Sequence, residues 1–232
     1  MIHSIGSKVF TLSLLLTIAS GFVPVNAALI THNGYTLNTN TNIVTGGGLE
    51  WLQWDVTLGM SISDALTNVA GTFDGGGWTL ATNMQVSVLF DAFSFASDTN
   101  DNESSRTRGT YIPGTDDSIF DHFLTIFGMT RNTAGGDFGT GVDAFQFSSA
   151  YFGSDPDSDS LYRLAFARSD YTLFGYAQQE SDAVMQGDWS KVTDRNEYNG
   201  VALVRAVVPE PSTITVLVLG FLGLVMRRRA VA

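Results

Sequence analysis

Apolar residues recur at helical spacing in three internal stretches of the chain and at strand-like spacing in several others. Ile62, Ala65, Leu66 and Val69 fall on one face of a helix. Ser61 and Asp64, three apart, have the form of a capping box with Asp in place of Glu, and Gly71 supplies a stop. Thr82 and Gln85 form a second capping box, followed by the stripe Val86, Leu89, Phe90 and Phe93. A third helix is predicted over 117–127, capped by Asp116 or Asp117, with Phe120, Phe123, Leu124 and Phe127 as its stripe and Gly128 at its end.

Short extended pieces are expected at Leu29–Ile30, Tyr35–Leu37 and Asn42–Val44, with Asn/Thr turns between them. Gly46-Gly47-Gly48 is a turn, and Leu49–Trp54 reads as a strand with two large aromatics. Asp74–Gly77 is another turn, leading into a short extended Trp78–Leu80. Ser97–Thr115, rich in Asp, Asn and Ser, reads as a long surface loop. After Gly141 the pattern predicts strands at Val142–Phe147, Leu161–Ala167, Thr172–Ala177 and Val201–Val207, joined by polar loops. Helices gathered in the first half and strands in the second predict an α+β fold, with two or three short helices packed on an antiparallel sheet. A β-rich sandwich with peripheral helices is the alternative.

The two ends differ from the middle. Val9–Ala19 is apolar, follows the single charge Lys8, and precedes Pro24 and the small-x-small triplet Val25-Asn26-Ala27. This is the form of a signal peptide over 1–27, cleaved after Ala27, with an uncleaved N-terminal anchor as the alternative. At the other end Pro209-Glu210-Pro211-Ser212 precedes an apolar run, Thr213–Met226, and then Arg227-Arg228-Arg229. As a helix, 213–226 would span roughly 21 Å at ~1.5 Å per residue, short of the ~20 residues of a comfortable membrane span. Three terminal arginines favour the cytoplasm, which gives an N-out, C-in precursor; a buried core helix is the alternative.

Setting aside 1–27 and 209–232 leaves one exported globular domain, 28–208. It keeps 22 acids and 8 bases, a net charge of −14. Such a surface repels nucleic acid, so no nucleic-acid partner is expected. With no cysteine there is neither a disulfide framework nor a thiolate nucleophile or ligand. Only His32 and His122 remain in 28–208, which excludes a histidine-rich metal site.

The tail resembles the PEP-CTERM sorting signal of Gram-negative bacteria, on Pro209-Glu210-Pro211, the following Ser-Thr, the Gly-containing apolar helix and the arginine cluster. The resemblance implies an exosortase, a membrane-embedded cysteine-protease-like transpeptidase, as processing partner. Signal peptidase and the general secretory machinery would act before it. It also implies transient single-pass residence in the inner membrane, then the cell surface or extracellular matrix. The family commonly accompanies exopolysaccharide and biofilm production, which makes exopolysaccharide a further candidate partner. The middle of the chain is similar to exported bacterial domains of C-type-lectin-like fold. The residues that carry this are Gly48-Leu49-Glu50-Trp51-Leu52, Gly77-Trp78-Thr79-Leu80-Ala81-Thr82 and Gly200-Val201-Ala202-Leu203-Val204-Arg205. The disulfides and the calcium- and sugar-holding segments of typical lectin domains are missing, so no sugar-binding residue is implied.

Two features of 28–208 carry candidate chemistry. Asp155, Asp157 and Asp159 place carboxylates at alternate positions, as calcium prefers, although Ser160 and Phe166 stand where an EF-hand needs Gly and Glu. A solvated turn is the alternative, and no other cofactor is expected. Among the four tryptophans, Trp51, Trp54 and Trp78 are expected in the core. Trp189, in the polar Gly187-Asp188-Trp189-Ser190, is the candidate ligand contact. No Gly-x-Ser-x-Gly elbow exists, and His122 lies in a predicted apolar stripe as a structural residue. The expectation is a non-enzymatic surface or matrix protein. The alternatives are a carbohydrate-binding module and a polysaccharide hydrolase, which needs only two suitably spaced carboxylates.

Overall fold

Local capping chemistry sets the first two helices where the sequence places them. The computed structural model describes residues 27–95, 97, 106–111, 118–133, 145–155, 158–172 and 179–207. Helix α1 runs Ile62–Asn68, with Ser61 Oγ accepting from the Asp64 amide and the Asp64 carboxylate accepting from the Ser61 amide. Helix α2 runs Asn83–Ala92 behind the same reciprocal pair, Thr82 and Gln85. Helix α3 runs Ser118–Phe127 and buries Phe120, Phe123, Leu124, Ile126 and Phe127 on one side.

The strands overturn the α+β expectation. Among the described residues the chain is mostly β, with twelve strands in two sheets and three short helices. In chain order the strands are β1 Leu29–His32, β2 Tyr35–Asn38, β3 Ile43–Gly46, β4 Leu49–Leu52, β5 Thr79–Leu80 and β6 Arg106–Tyr111. They continue with β7 Arg131–Thr133, β8 Phe145–Phe152, β9 Leu161–Thr172, β10 Gln179–Lys191, β11 Gly200–Val201 and β12 Leu203–Ala206. The first sheet is antiparallel in the order β1-β2-β3-β4-β12-β5. The second has the order β11-β8-β9-β10-β6, with β7 also on β8, and is antiparallel except for the β11–β8 pair. The lectin-like arrangement of helices on one sheet is therefore replaced by two sheets.

Two strands carry most of that correction. Strand β6 lies inside the segment expected to be a loop, and β10 inside one expected to join strands. Both are polar in sequence, yet β10 sits between β9 and β6, and Ser181 through Met185 are all buried. Strand β8 extends to Phe152 where the pattern stopped at Phe147, because the buried Ser148 and Ser149 interrupt the apolar run. Ser149 is satisfied by the Tyr198 carbonyl, Asn199 Oδ1 and Thr130 Oγ1. Strand β9 extends to Thr172, and residues 173–177 of the strand expected at Thr172–Ala177 lie outside the described residues.

Helix α3 and the two sheets enclose one aromatic core. Phe123 is fully buried, with ring centroids 4.8–5.7 Å from Trp54, Phe90, Phe93, Phe95 and Phe127. The chain crosses from the second sheet to the first at Ala202, between β11 and β12. The Ala202 amide donates to Tyr151 and its carbonyl accepts from Ala81, so the last strands tie both sheets together. Among the described residues no helix is long and apolar enough to cross a membrane. Residues 1–26 of the expected signal peptide and the expected helix at 213–226 lie outside them.

Candidate functional site

Three groups of side chains have chemistry beyond simple packing. The first is at one end of the second sheet. Leu161 pairs with Lys191 and Tyr162 with Ser190, but the next paired residues are Leu164 and Gln186. Gly187, Asp188 and Trp189 therefore oppose Arg163 alone and bulge out of β10. Asp188 takes φ +42° there. Trp189, expected in a polar loop, stands instead on this strand bulge and is 52% exposed. Trp51, Trp54 and Trp78 are buried, as expected.

The aspartate segment ends where β9 begins, at the same end of the sheet. Asp155 Oδ2 accepts from the Ser160 amide at 2.9 Å, and Asp159 Oδ1 from the Leu161 amide at 2.7 Å. Ser158 and Ser160 take positive φ to make this tight turn. Asp155 Oδ1 is shielded from solvent and makes no hydrogen bond. Asp157 lies outside the described residues. Among the described residues no group of three His, Asp or Glu side chains is gathered as a metal cage.

The second group is the pair His32 and His122. Their rings stack with centroids 3.8 Å apart and planes 12° from parallel, joining β1 to α3. Desolvation holds the His32 pKa below the usual imidazole value, and the neighbouring His122 adds to the effect. Stacked rings direct their in-plane nitrogens side by side, which is a packing arrangement.

The third group comprises two ion-pair clusters that sequence reasoning missed. The fully buried Asp182 on β10 accepts from Arg108 Nε on β6 and from Arg168 Nε and Nη2 on β9. On β12, Arg205 Nε donates to Glu50 at 2.6 Å, and its Nη atoms donate to Asp74 Oδ2 and to the Asp74 and Gly76 carbonyls. Its guanidinium also lies 4.3 Å from the Trp78 ring centroid. Although burial alone would lower the Arg205 pKa, the Glu50 and Asp74 carboxylates raise it, so the cation is secured. Arg205 thus fastens the Asp74–Gly76 turn and the start of β4 to the end of β12. The only local signal was an arginine inside an otherwise apolar terminal strand.

Just beyond that strand lies the sequence that a family comparison recognises. A model of the PEP-CTERM protein-sorting motif matches residues 207–229. Pro209, Glu210, Pro211 and Arg227–Arg229 fall inside the match and outside the described residues. No curated protein and no solved structure matches the chain.

Proposed function

We propose that the chain, whose PEP-CTERM sorting motif implies an exported exosortase substrate anchored transiently at the membrane before processing, delivers a non-enzymatic surface or extracellular-matrix domain. The observation that carries this reading is the sorting motif, which begins at Val207, directly after the last strand. In the proposed order, signal peptidase releases the chain after Ala27, and Arg227–Arg229 hold the C-terminus in the cytoplasm with 28–208 outside. The exosortase then acts at Pro209-Glu210-Pro211. The −14 charge of the domain suits a solvated exterior, and its aromatic core replaces the disulfides that many exported domains use.

A second reading, carbohydrate binding in the matrix, is favoured by one observation. Trp189 presents an exposed indole on a β-bulge, and an apolar ring face of this kind can stack on a sugar. The test uses the released protein and the producing cell's own exopolysaccharide. The non-enzymatic reading expects unchanged polymer length and no retention on the polymer. Retention that disappears in Trp189→Ala would put the binding reading first. Depolymerisation would establish the hydrolase and overturn both.

A further inference from the structure

The end of β12 constrains how the sorting enzyme approaches the folded domain. Only Val207 and Val208 separate Ala206, the last residue of β12, from Pro209. Three residues reach at most ~11 Å even when fully extended, at ~3.3–3.6 Å each. Strand β12 cannot lengthen this tether at little cost. It lies between β4 and β5, Leu203 and Val204 are buried, and Arg205 is held by Glu50 and Asp74. Whatever body holds Pro209–Pro211 must therefore lie against the rim of the first sheet.

We infer that this rim is the face that meets the exosortase during processing, an inference that rests on the sorting function proposed above. Register places the rim. Ala206 pairs with Leu49 and Leu49 with Gly46, so the Gly47-Gly48 hairpin turn lies beside the chain exit. On the other flank Val204 pairs with Thr79, which brings the Asp74–Gly77 turn alongside. Gly47, Gly48, Gly75 and Gly77 all adopt positive φ, and Gly48, Gly75 and Gly77 have open space where a Cβ would be. Tight turns without side chains let another surface approach closely. Charge agrees with this. The domain carries −14 in total, yet the two carboxylates at this rim, Glu50 and Asp74, are both paired with Arg205, and Val207 adds a 40% exposed apolar side chain. A glycine-rich rim on which Arg205 offsets part of the carboxylate charge, tethered within ~11 Å of the processed segment, fits the outer face of a membrane enzyme.

The test uses full precursors in the producing cell. A flexible Gly/Ser stretch of about ten residues, with r.m.s. reach ~5–6 Å × √n, is inserted between Gly47 and Gly48. A control carries it between Asn40 and Thr41, at the opposite end of β2 and β3. A third precursor combines the Gly47–Gly48 insertion with the same stretch placed between Ala206 and Val207. The rim insertion should accumulate as a larger, membrane-retained form, the control should mature as the parent does, and the added tether should restore release. Parental maturation of the rim insertion, or failure of the longer tether to restore it, would overturn the inference. A rim that binds anionic phospholipid vesicles in the released protein, with that binding lost on insertion, would assign the face to lipid and overturn it as well. Alanine replacement of Pro209–Pro211 separates the two levels. If that variant matures normally, the sorting reading itself fails. If it is retained while the rim insertion matures, the rim inference alone fails.

Discussion

Phe123→Ala should be among the most destabilising single changes in the domain. The ring is fully buried and lies 4.8–5.7 Å, centroid to centroid, from five other aromatic rings. Truncating a buried Phe costs about 3–5 kcal/mol, and the cost rises with the cavity that remains. Here the neighbours are rigid rings anchored on α2 and the segment just after it, on α3 and in the turn after β4, so collapse into the space is limited and the upper half of that range is expected. For a domain of 150–250 residues each kcal/mol shifts Tm by about 2–4 °C, which gives a fall of roughly 8–20 °C. Phe123→Leu keeps most of the volume but loses the edge-to-face ring geometry, and should cost about 1–2 kcal/mol. Thr82→Ala removes the α2 cap and should cost ~1 kcal/mol. Denaturant melts of the released protein and its variants give the order directly, provided the slope with denaturant is unchanged. A loss for Phe123→Ala no larger than for Thr82→Ala would refute the aromatic core as the centre of stability.

Other outcomes follow from the ionisable groups. Because the folded state lowers the His32 pKa, the unfolded chain binds the extra proton first; stability should be complete above the usual imidazole value near 6.5 and decline as pH falls below it. Melts from pH 8 to 5 would show this, and a decline undiminished in His32→Asn would assign it to other groups. Arg205→Met should release the Asp74–Gly77 turn and speed its cleavage by an added protease in the folded protein; unchanged cleavage would show that the clamp is not needed to hold the turn. Calcium should leave Tm unchanged, since Asp155 and Asp159 each already commit one oxygen to a backbone amide. A rise of several degrees that vanishes in Asp157→Asn would overturn that expectation and establish a site.

What was legible in the sequence was local. Ser61 with Asp64 and Thr82 with Gln85 announce helix starts because both partners of each capping box lie three residues apart. The sorting motif was legible for a related reason, being a linear signal read by another enzyme. The fold class was not legible, because β10 hides its burial in a polar sequence and β6 is an equally polar strand paired at its side. Asp182 reads as a surface residue until Arg108 and Arg168 arrive from neighbouring strands, 74 and 14 residues away, to neutralise it. Ser148 and Ser149 truncated β8 in the same way. The Arg205 clamp depends on Glu50, 155 residues distant, so no window of sequence contains it. Trp189 reads as a ligand contact in a polar loop, but it stands on a strand bulge that comes from a register shift between two strands, which only their pairing reveals.

Delivery through the C-terminal signal is decided by a single precursor variant. The precursor with Pro209, Glu210 and Pro211 all replaced by alanine is expressed in the producing cell, and the intact mass of the released and membrane fractions is determined. The expected product is a membrane-retained chain that has lost its N-terminal segment but keeps Arg227–Arg229, while the parent is released without them. Release of the alanine variant at the parental mass would contradict it.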